Sequence, residues 1–579
     1  STSRRQRQMC IRDSSAGVTV LNNVLTTVKC KGRLKNLEEK LKDHEMTGHV
    51  GIGHTRWATH GVPSNLNSHP HTNPSNTISI VHNGIIENYR ELKDILLEKG
   101  YSFQSETDSE VVVMCLDYFY EGDLLEAVKK TLNCIDGSYA LCIVSTEHPD
   151  EVVVAKKASP LVIGHTEDAS VAASDIPALL AYTKDVYFLD DLEMAVLKKD
   201  SITFYNKDGK EITKEMTTIP YDMEAAQKNG FDTYMLKEIN EQPHVIQETL
   251  RGRIFEHSIV LDELKDVDFN KFNKVYYVAC GTAYHAGLCG ASILERATRL
   301  PVLTQVASEF RYNDPIIDEK TLCIFVSQSG ETADTLAALK LANEKGCTTI
   351  AVTNVLGSTI SREAQHTLYT CAGPEIAVAS TKAYTTQLVL LTLIALYIAD
   401  KRGDTVDTDL MEQLNNLPEY VSKLIDDEAI FENYAKALKD KHDCYFIGRS
   451  LDYASVLEGA LKLKEVSYVH ADAYIAGELK HGPIALIEPG TVVIAVATQP
   501  HVAAKTISNI QETIARGAEV ILFTVEGQEV SGVENIYYLP NINPLLQSVL
   551  VAIPLQLIAY HTACLLYTSP SPRDGATSR

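Results

Sequence analysis

From Lys274 onward the sequence keeps returning to one pattern: an apolar strand, a short turn, then a helix. KVYYVACGTAYHAGLCGASILERAT, TLCIFVSQSGETADTLAALKLANEKG and TTIAVTNVLGSTISREA show it first. DCYFIGRSLDYASVLEGALKLKEV, TVVIAVATQPHVAAKTISNIQETIARG and EVILFTVEG repeat the order with similar spacing. Such repetition predicts two copies of one α/β unit, each a parallel sheet between helices. Open parallel sheets hold ligands at the carboxyl ends of their strands, and both CGTA, which begins at Cys280, and SQSGET, which begins at Ser327, lie at such ends.

The stretch SQSGETADT sets four hydroxyls and a glycine where a strand becomes a helix. The first N–H groups of a helix have no partner inside it and together carry about half a positive charge. Ser327, Ser329, Thr332 and Thr335 add hydroxyl donors, and Gly330 lets the backbone approach a ligand closely. A phosphate cradle fits this set, and so does simple helix capping by Ser and Thr; the turn alone leaves both open. It has neither a P-loop lysine nor GxGxxG spacing, so it does not favour a nucleotide. The second copy carries proline in ATQPHV where the first has Ser329, which predicts phosphate on the first copy only.

At 579 residues the chain has room for roughly three to five domains. Its formal net charge of −23 is spread along the sequence, which argues against nucleic acid or an anionic membrane as the main partner. Twelve cysteines fall singly, mostly inside apolar runs, at positions such as Cys30, Cys115, Cys134, Cys280, Cys323 and Cys444. With no CxxC pair, they read as buried reduced thiols of a cytosolic protein. The longest apolar stretch, LLQSVLVAIPLQLIAYHTACLL, is interrupted by Gln547, Pro554, Gln556 and His561 and reads as a buried helix rather than a membrane span. No secretory signal is visible. The arginine-rich ends, STSRRQRQMCIRDS and YTSPSPRDGATSR, read as cloning or assembly scars to be set aside from the fold.

Before residue 240 short β-rich runs such as TISIVHNGII, SYALCIVST and EVVVAKKASPLVIGH alternate with turn signals. Helices are expected at NYRELKDILLEKG and DSEVVVMCLDYFY, which makes this part an α+β domain with antiparallel strands. In GHTRWATHGVPSNLNSHP, the residues Arg56, Thr59, His60 and His69 surround the single tryptophan, Trp57. That cluster suits a small-molecule pocket, and equally a structural loop with its arginine paired internally. Asn83 and Gly84 place an amide side chain beside a glycine N–H, a pairing suited to an oxyanion. Asp108 could meet a ligand ammonium, although Asp and Asn are also ordinary turn residues.

Taken together, GHTRWATHG, HNGIIENY, SETDSEV, CGTAYHAG, SQSGETADT, VASTKAYTTQL and LEGALKLKEVSYVHADAYIAGELKHGP, in this order, resemble the glutamine–fructose-6-phosphate aminotransferase family in its eukaryotic-like form. The resemblance runs from about Ser15 to about Leu565. It implies an α+β N-terminal-nucleophile hydrolase domain followed by two α/β sugar isomerase (SIS) domains with parallel sheets. The expected boundaries are a scar at 1–14, a glutamine amidotransferase domain at 15–235, a linker at 236–255 and a first SIS domain at 256–400. A helical connection at 401–435, a second SIS domain at 436–565 and a scar at 566–579 complete them.

The implied activity is transfer of the amide nitrogen of L-glutamine to D-fructose 6-phosphate, giving D-glucosamine 6-phosphate and L-glutamate. Carried over onto matching positions, Arg56 would grip the glutamine α-carboxylate, with Thr59, His60 and Asp108 completing its recognition. Asn83 and Gly84 would form the oxyanion hole. Thr282, Ser327, Gln328, Ser329, Thr332 and Ser380 would hold the sugar phosphate and hydroxyls. Glu465 would move the proton between C1 and C2, His481 would assist ring opening, and Lys462 would support proton traffic, a carboxylate base beside an acid being what an enediol route needs. In the family His481 crosses a subunit interface, which implies a homodimer or homotetramer. No cofactor and no metal is implied, and neither nucleic acid nor membrane is an expected partner; the expected location is the cytoplasm.

This sequence also departs from the family pattern. The family nucleophile is an N-terminal cysteine whose own amine acts as base, and the segment that would carry it is missing. Met9-Cys10 imitates a processed start, but it stands only five residues before Ser15 and its flanks do not match. The family's C-terminal tail, with its Schiff-base lysine, is absent beyond Leu565, and Ala283 replaces a usual serine. The chain as written is therefore expected to be inactive. Two rivals use the same paired domains: a sugar-phosphate isomerase, and a regulator that only senses sugar phosphates. Neither has a use for the TRWATHG loop.

Overall fold

The computed structural model describes residues 14–32, 34–57, 64–219, 228–255, 258–405 and 407–568. Thr59, His60 and Cys10 lie outside them. The chain divides into two compact units, residues 1–227 and 228–579.

The first unit is built on antiparallel sheets. Its seven-stranded sheet runs in the order Glu211–Ile212, Ile202–Tyr205, Met194–Leu197, His148–Lys157, Gly137–Ser145, Ile78–Ile86 and His71–Thr72. Side chains alternate along a strand, so each of its two faces can be buried by a different layer. Ile78, Ile80, Leu141, Ile143 and Val153 face the helices Ser109–Phe119 and Leu124–Leu132 through Val112, Val113, Leu116 and Val128. On the opposite face Val81 and Val144 meet Leu21, Leu25 and Ile52 of a three-stranded sheet, Val24–Lys31, Ser14–Asn22 and Val50–Trp57. Beside it a four-stranded sheet covers Ala140, Val154 and Ala195 with Ile163 of Val162–His165 and with Leu161 just before that strand. The run EVVVAKKASPLVIGH is two strands in different sheets, His148–Lys157 and Val162–His165, parted at Ala158 with φ +56°.

The second unit holds two five-stranded sheets, parallel throughout. In the first the order is Val302–Val306, Lys274–Ala279, Thr321–Ser327, Thr348–Thr353 and His366–Tyr369. In the second it is His470–Ile475, Asp443–Gly448, Val492–Ala497, Glu519–Val525 and Asn535–Leu539, the same permutation. Strands buried on both faces need no polar alternation, and every residue of Thr321–Ser327, Thr348–Thr353 and Val492–Ala497 is buried. In each sheet the strand order reverses between the first strand in sequence and its central neighbour. At that point the helices Gly281–Thr298 and Leu451–Ser467 begin.

Residues 236–255, expected as a linker, carry parts of two helices, Tyr234–Asn240 and Gln242–Leu250, with Ile239, Val245 and Ile246 in the core. Among the described residues two helices are long and apolar enough to cross a membrane, Lys382–Arg402 and Gln547–Thr568. Their apolar windows are 94% and 78% buried inside the protein, which makes them core helices. Pro554 sits within the second without ending it. All eleven described cysteines carry free thiols, and Cys371 is exposed, unlike the buried set expected.

Candidate active site

In the second unit the turn between Thr321–Ser327 and the helix Ala333–Glu344 uses its hydroxyls locally. Ser327 Oγ accepts the Gly330 N–H at 3.0 Å and lies 3.0 Å from Thr332 Oγ1; Ser329 Oγ accepts the Glu331 N–H at 3.2 Å. Thr332 is the N-cap residue, yet its side chain caps nothing. The hydroxyls therefore shape the turn rather than finish the helix. Gly330 has φ +65°, and a Cβ there would run into the Ser358 side chain, so only glycine fits. Thr335, grouped with these hydroxyls from the sequence, is buried and directs its hydroxyl to Cys280 Sγ, away from the turn.

Beside this turn a buried ammonium is held by acids from one helix. Glu458, Lys462 and Glu465 share a face of Leu451–Ser467 because residues three and four apart stack on a helix. Lys462 Nζ lies 2.6 Å from Glu465 Oε2 and 3.3 Å from Glu458 Oε1, and it donates to Thr282 Oγ1 at 3.0 Å. Thr282 donates onward to Glu458 at 3.1 Å, and His285 Nδ1 is 2.7 Å from the other Glu458 oxygen. Burial alone would push the Lys462 ammonium down; the Glu458 and Glu465 carboxylates outweigh it and hold the group above its ordinary value. Glu375 adds to that field and accepts the Ser380 hydroxyl at 2.8 Å, which joins Ser380 to the cluster. Thr282, Lys462 and Glu465 thus meet, while Ser380 is linked to them only through the charge of Glu375. His481 sits on a short 3-10 turn, Leu479–His481, with its side chain exposed and no hydrogen bond to any of them.

In the first unit Asn83 and Gly84 lie on Ile78–Ile86, paired with Ala140 and Tyr139. Gly84 has φ +142°, and a Cβ would strike the Ser138 carbonyl, so the strand can pass there only as glycine. Asn83 lines a cleft of about 320 Å³ with Gly53, His54, Asp175 and Tyr182. Among the described residues its amide has no hydrogen-bond partner, which leaves it available to a ligand. Arg56 is buried on Val50–Trp57; burial pushes its guanidinium down, and the Asp108 carboxylate pushes it back up. Asp108 precedes Ser109–Phe119 and accepts the Ile86 N–H at 2.8 Å, which ties it to the strand that carries Asn83. His82 links the same parts, with Nδ1 2.7 Å from Ser109 Oγ and Nε2 3.4 Å from the Ser138 carbonyl.

These two constellations coincide with two kinds of known domain. A glutamine amidotransferase domain model matches residues 54–181, and a SIS domain model matches residues 268–397 and 437–566. The glutamine–fructose-6-phosphate aminotransferase [isomerizing] of Clostridium tetani is 52% identical over 559 residues, which cover 95% of this chain and 92% of that relative. This chain belongs to the glutamine–fructose-6-phosphate aminotransferase family. A second member, from Caldanaerobacter subterraneus, is 51% identical over 558 residues, covering 95% of this chain and 92% of its own length. The solved C-terminal domain of glucosamine-fructose-6-phosphate aminotransferase from Francisella tularensis matches with TM-score 0.57 and 37% identity, over 59% of this chain and 99% of that one. The relatives named here are bacterial, so they lend nothing to the eukaryotic-like reading of the sequence.

Membership in the glutamine–fructose-6-phosphate aminotransferase family pairs a glutamine domain with two SIS domains, an arrangement that a sugar-phosphate isomerase or sensor does not explain. Sequence reasoning missed Glu458, His285 and Glu375. For Glu458 a signal was present: LEGALKLKE spaces Glu458, Lys462 and Glu465 at i, i+4 and i+7. His285 and Glu375 reach the cluster from elsewhere in the chain and left no local pattern.

Proposed function

We propose that this protein transfers the amide nitrogen of L-glutamine to D-fructose 6-phosphate, giving D-glucosamine 6-phosphate and L-glutamate. The observation that carries the reading is the buried Lys462 between Glu458, Glu465 and Thr282, beside a hydroxyl-rich turn of the first SIS domain. Arg56 grips the glutamine α-carboxylate and Asp108 meets its ammonium, with Thr59 and His60 completing the recognition of glutamine. Asn83 and Gly84 stabilise the oxyanion formed when the amide carbon is attacked. Ser327, Gln328, Ser329 and Thr332 hold the phosphate, while Thr282 and Ser380 hold sugar hydroxyls. Glu465 takes a proton from C1 and returns one at C2 while the O1 hydroxyl gives up its proton to leave the C1 aldehyde; Lys462, 2.6 Å from Glu465, supports this proton traffic. His481 acts in ring opening from a partner subunit, so the working unit is a homodimer or a larger homo-oligomer, in the cytoplasm.

The activity measurements use the protein with the family's N-terminal cysteine segment and C-terminal lysine tail in place, and follow glutamate and glucosamine 6-phosphate separately, with glutamine or ammonium as nitrogen source. Glu465→Gln should abolish the amino sugar from either source and leave glutamate release from glutamine in place. Parallel loss of both products would overturn the division of labour.

A further inference from the structure

Because the two SIS lobes share one strand order, each part of the first has a counterpart in the second. The helices Gly281–Thr298 and Leu451–Ser467 both end on a left-handed cap residue, Arg299 and Tyr468. Sixteen residues before those caps stand Ala283 in the first lobe and Asp452 in the second. Ala283 is buried and brings no side-chain donor or acceptor to its place. Asp452 does the opposite. It is buried, and its carboxylate lies in the turn after Val492–Ala497, the counterpart of the Ser327–Thr332 turn.

The donors around Asp452 are those of an anion site. Its Oδ2 accepts the Thr498 N–H at 2.8 Å and the Gln499 N–H at 3.3 Å, and its Oδ1 accepts the Thr498 hydroxyl at 2.5 Å. Arg296 arrives from the first lobe, donates to Ser450 Oγ at 2.6 Å and to Gln499 Oε1 at 3.5 Å, and attracts the carboxylate. Burial pushes the Asp452 carboxyl up to about 6, against the pull of these hydrogen bonds and of Arg296, so it remains an anion at neutral pH. Two backbone N–H groups and a hydroxyl converging on two buried oxygens, with the Arg296 charge nearby, suit a small tetrahedral oxyanion as well as a carboxylate.

We propose that Asp452 is an internal anion filling a latent oxyanion site of the second lobe, and that Thr498, Gln499 and Arg296 take inorganic phosphate once that carboxylate is removed. The lobe is thereby closed to sugar phosphates by its own side chain, not by lack of donors. This inference stands on the hydrogen bonds around Asp452 and does not depend on the proposed activity.

The test compares melting midpoints of the full chain in phosphate and in chloride, at matched ionic strength and pH. Wild type reports whatever phosphate does elsewhere in the molecule. Asp452→Ala should gain about twofold more from phosphate than wild type, whereas Asp452→Asn, which keeps the space filled, should gain no more than wild type. An alanine variant with the wild-type response overturns the proposal, and so does an asparagine variant that responds like alanine. If Asp452→Ala does not fold in chloride, refolding decides: recovery in phosphate alone supports the site, and equal failure in both salts overturns it.

Discussion

Ser327 and Ser329 spend their hydroxyl oxygens on turn N–H groups, Gly330 and Glu331, and keep their hydroxyl hydrogens for a ligand or for Thr332. On the proposed phosphate reading, replacing both with alanine removes two donors and loosens the turn that presents the rest. Ser327→Ala with Ser329→Ala should weaken fructose 6-phosphate binding by about 2–4 kcal/mol, taking charge-assisted hydrogen bonds at 1.5–3 each with some compensation. Calorimetric titration measures it, and unchanged affinity would remove the cradle. A second residue-scale prediction concerns Arg56. Lysine keeps the charge but loses the planar two-pronged donor that matches a carboxylate. Arg56→Lys should raise the glutamine KM far more than the fructose 6-phosphate KM in steady-state assays; equal effects on both would count against Arg56 as the glutamine grip.

At the scale of elements, the apolar runs and their turns were readable because burial on both faces of a parallel strand leaves a continuous hydrophobic signature, as in TLCIF and TVVIAVA. Sheet order was not, since nothing local in Lys274–Ala279 says that its neighbours are Val302–Val306 and Thr321–Ser327. The same limit explains the site. Lys462 and Glu465 are visible as a helical pair, but Thr282, His285 and Glu375 join them only through tertiary contacts. Likewise 236–255 looked like a linker because its helices are short and carry polar residues such as Gln242, whose partner lies more than three hundred positions away: its Nε2 donates to Gln556 Oε1 at 2.9 Å. Gln556 in turn donates to the Thr381 carbonyl at 3.2 Å, so the polar interruptions of the long C-terminal helix are internal hydrogen bonds. Gln556→Leu would leave one Gln242 N–H unpaired in the core, the other donating to the Ile239 carbonyl, and would leave the Thr381 carbonyl with only the long 3.4 Å bond from the Thr385 N–H. It should cost about 1–3 kcal/mol, read as a lowered denaturation midpoint; an unchanged midpoint would mean that these groups find other partners.

For the whole molecule, the function proposed above divides the catalytic groups between two chains. Glu465 is fixed beside Lys462, while His481 is exposed on its 3-10 turn and bonded to none of the cluster. If His481 serves the partner's sugar site, each site of a homodimer draws Glu465 from one chain and His481 from the other. Glu465→Gln and His481→Ala homodimers should then both be nearly inactive in amino-sugar synthesis. Co-expressing the two variants makes mixed dimers in which one site has lost both groups and the other has lost neither. With random pairing half of the dimers are mixed, so about a quarter of all sites should be intact, and activity should return to about that fraction of wild type. Differently tagged subunits allow the mixed species to be purified and assayed alone, where half of the sites are intact. A mixed dimer no more active than its parents would place His481 in the site of its own chain, reached by movement of the Leu479–His481 turn, and would remove the catalytic argument for a dimer.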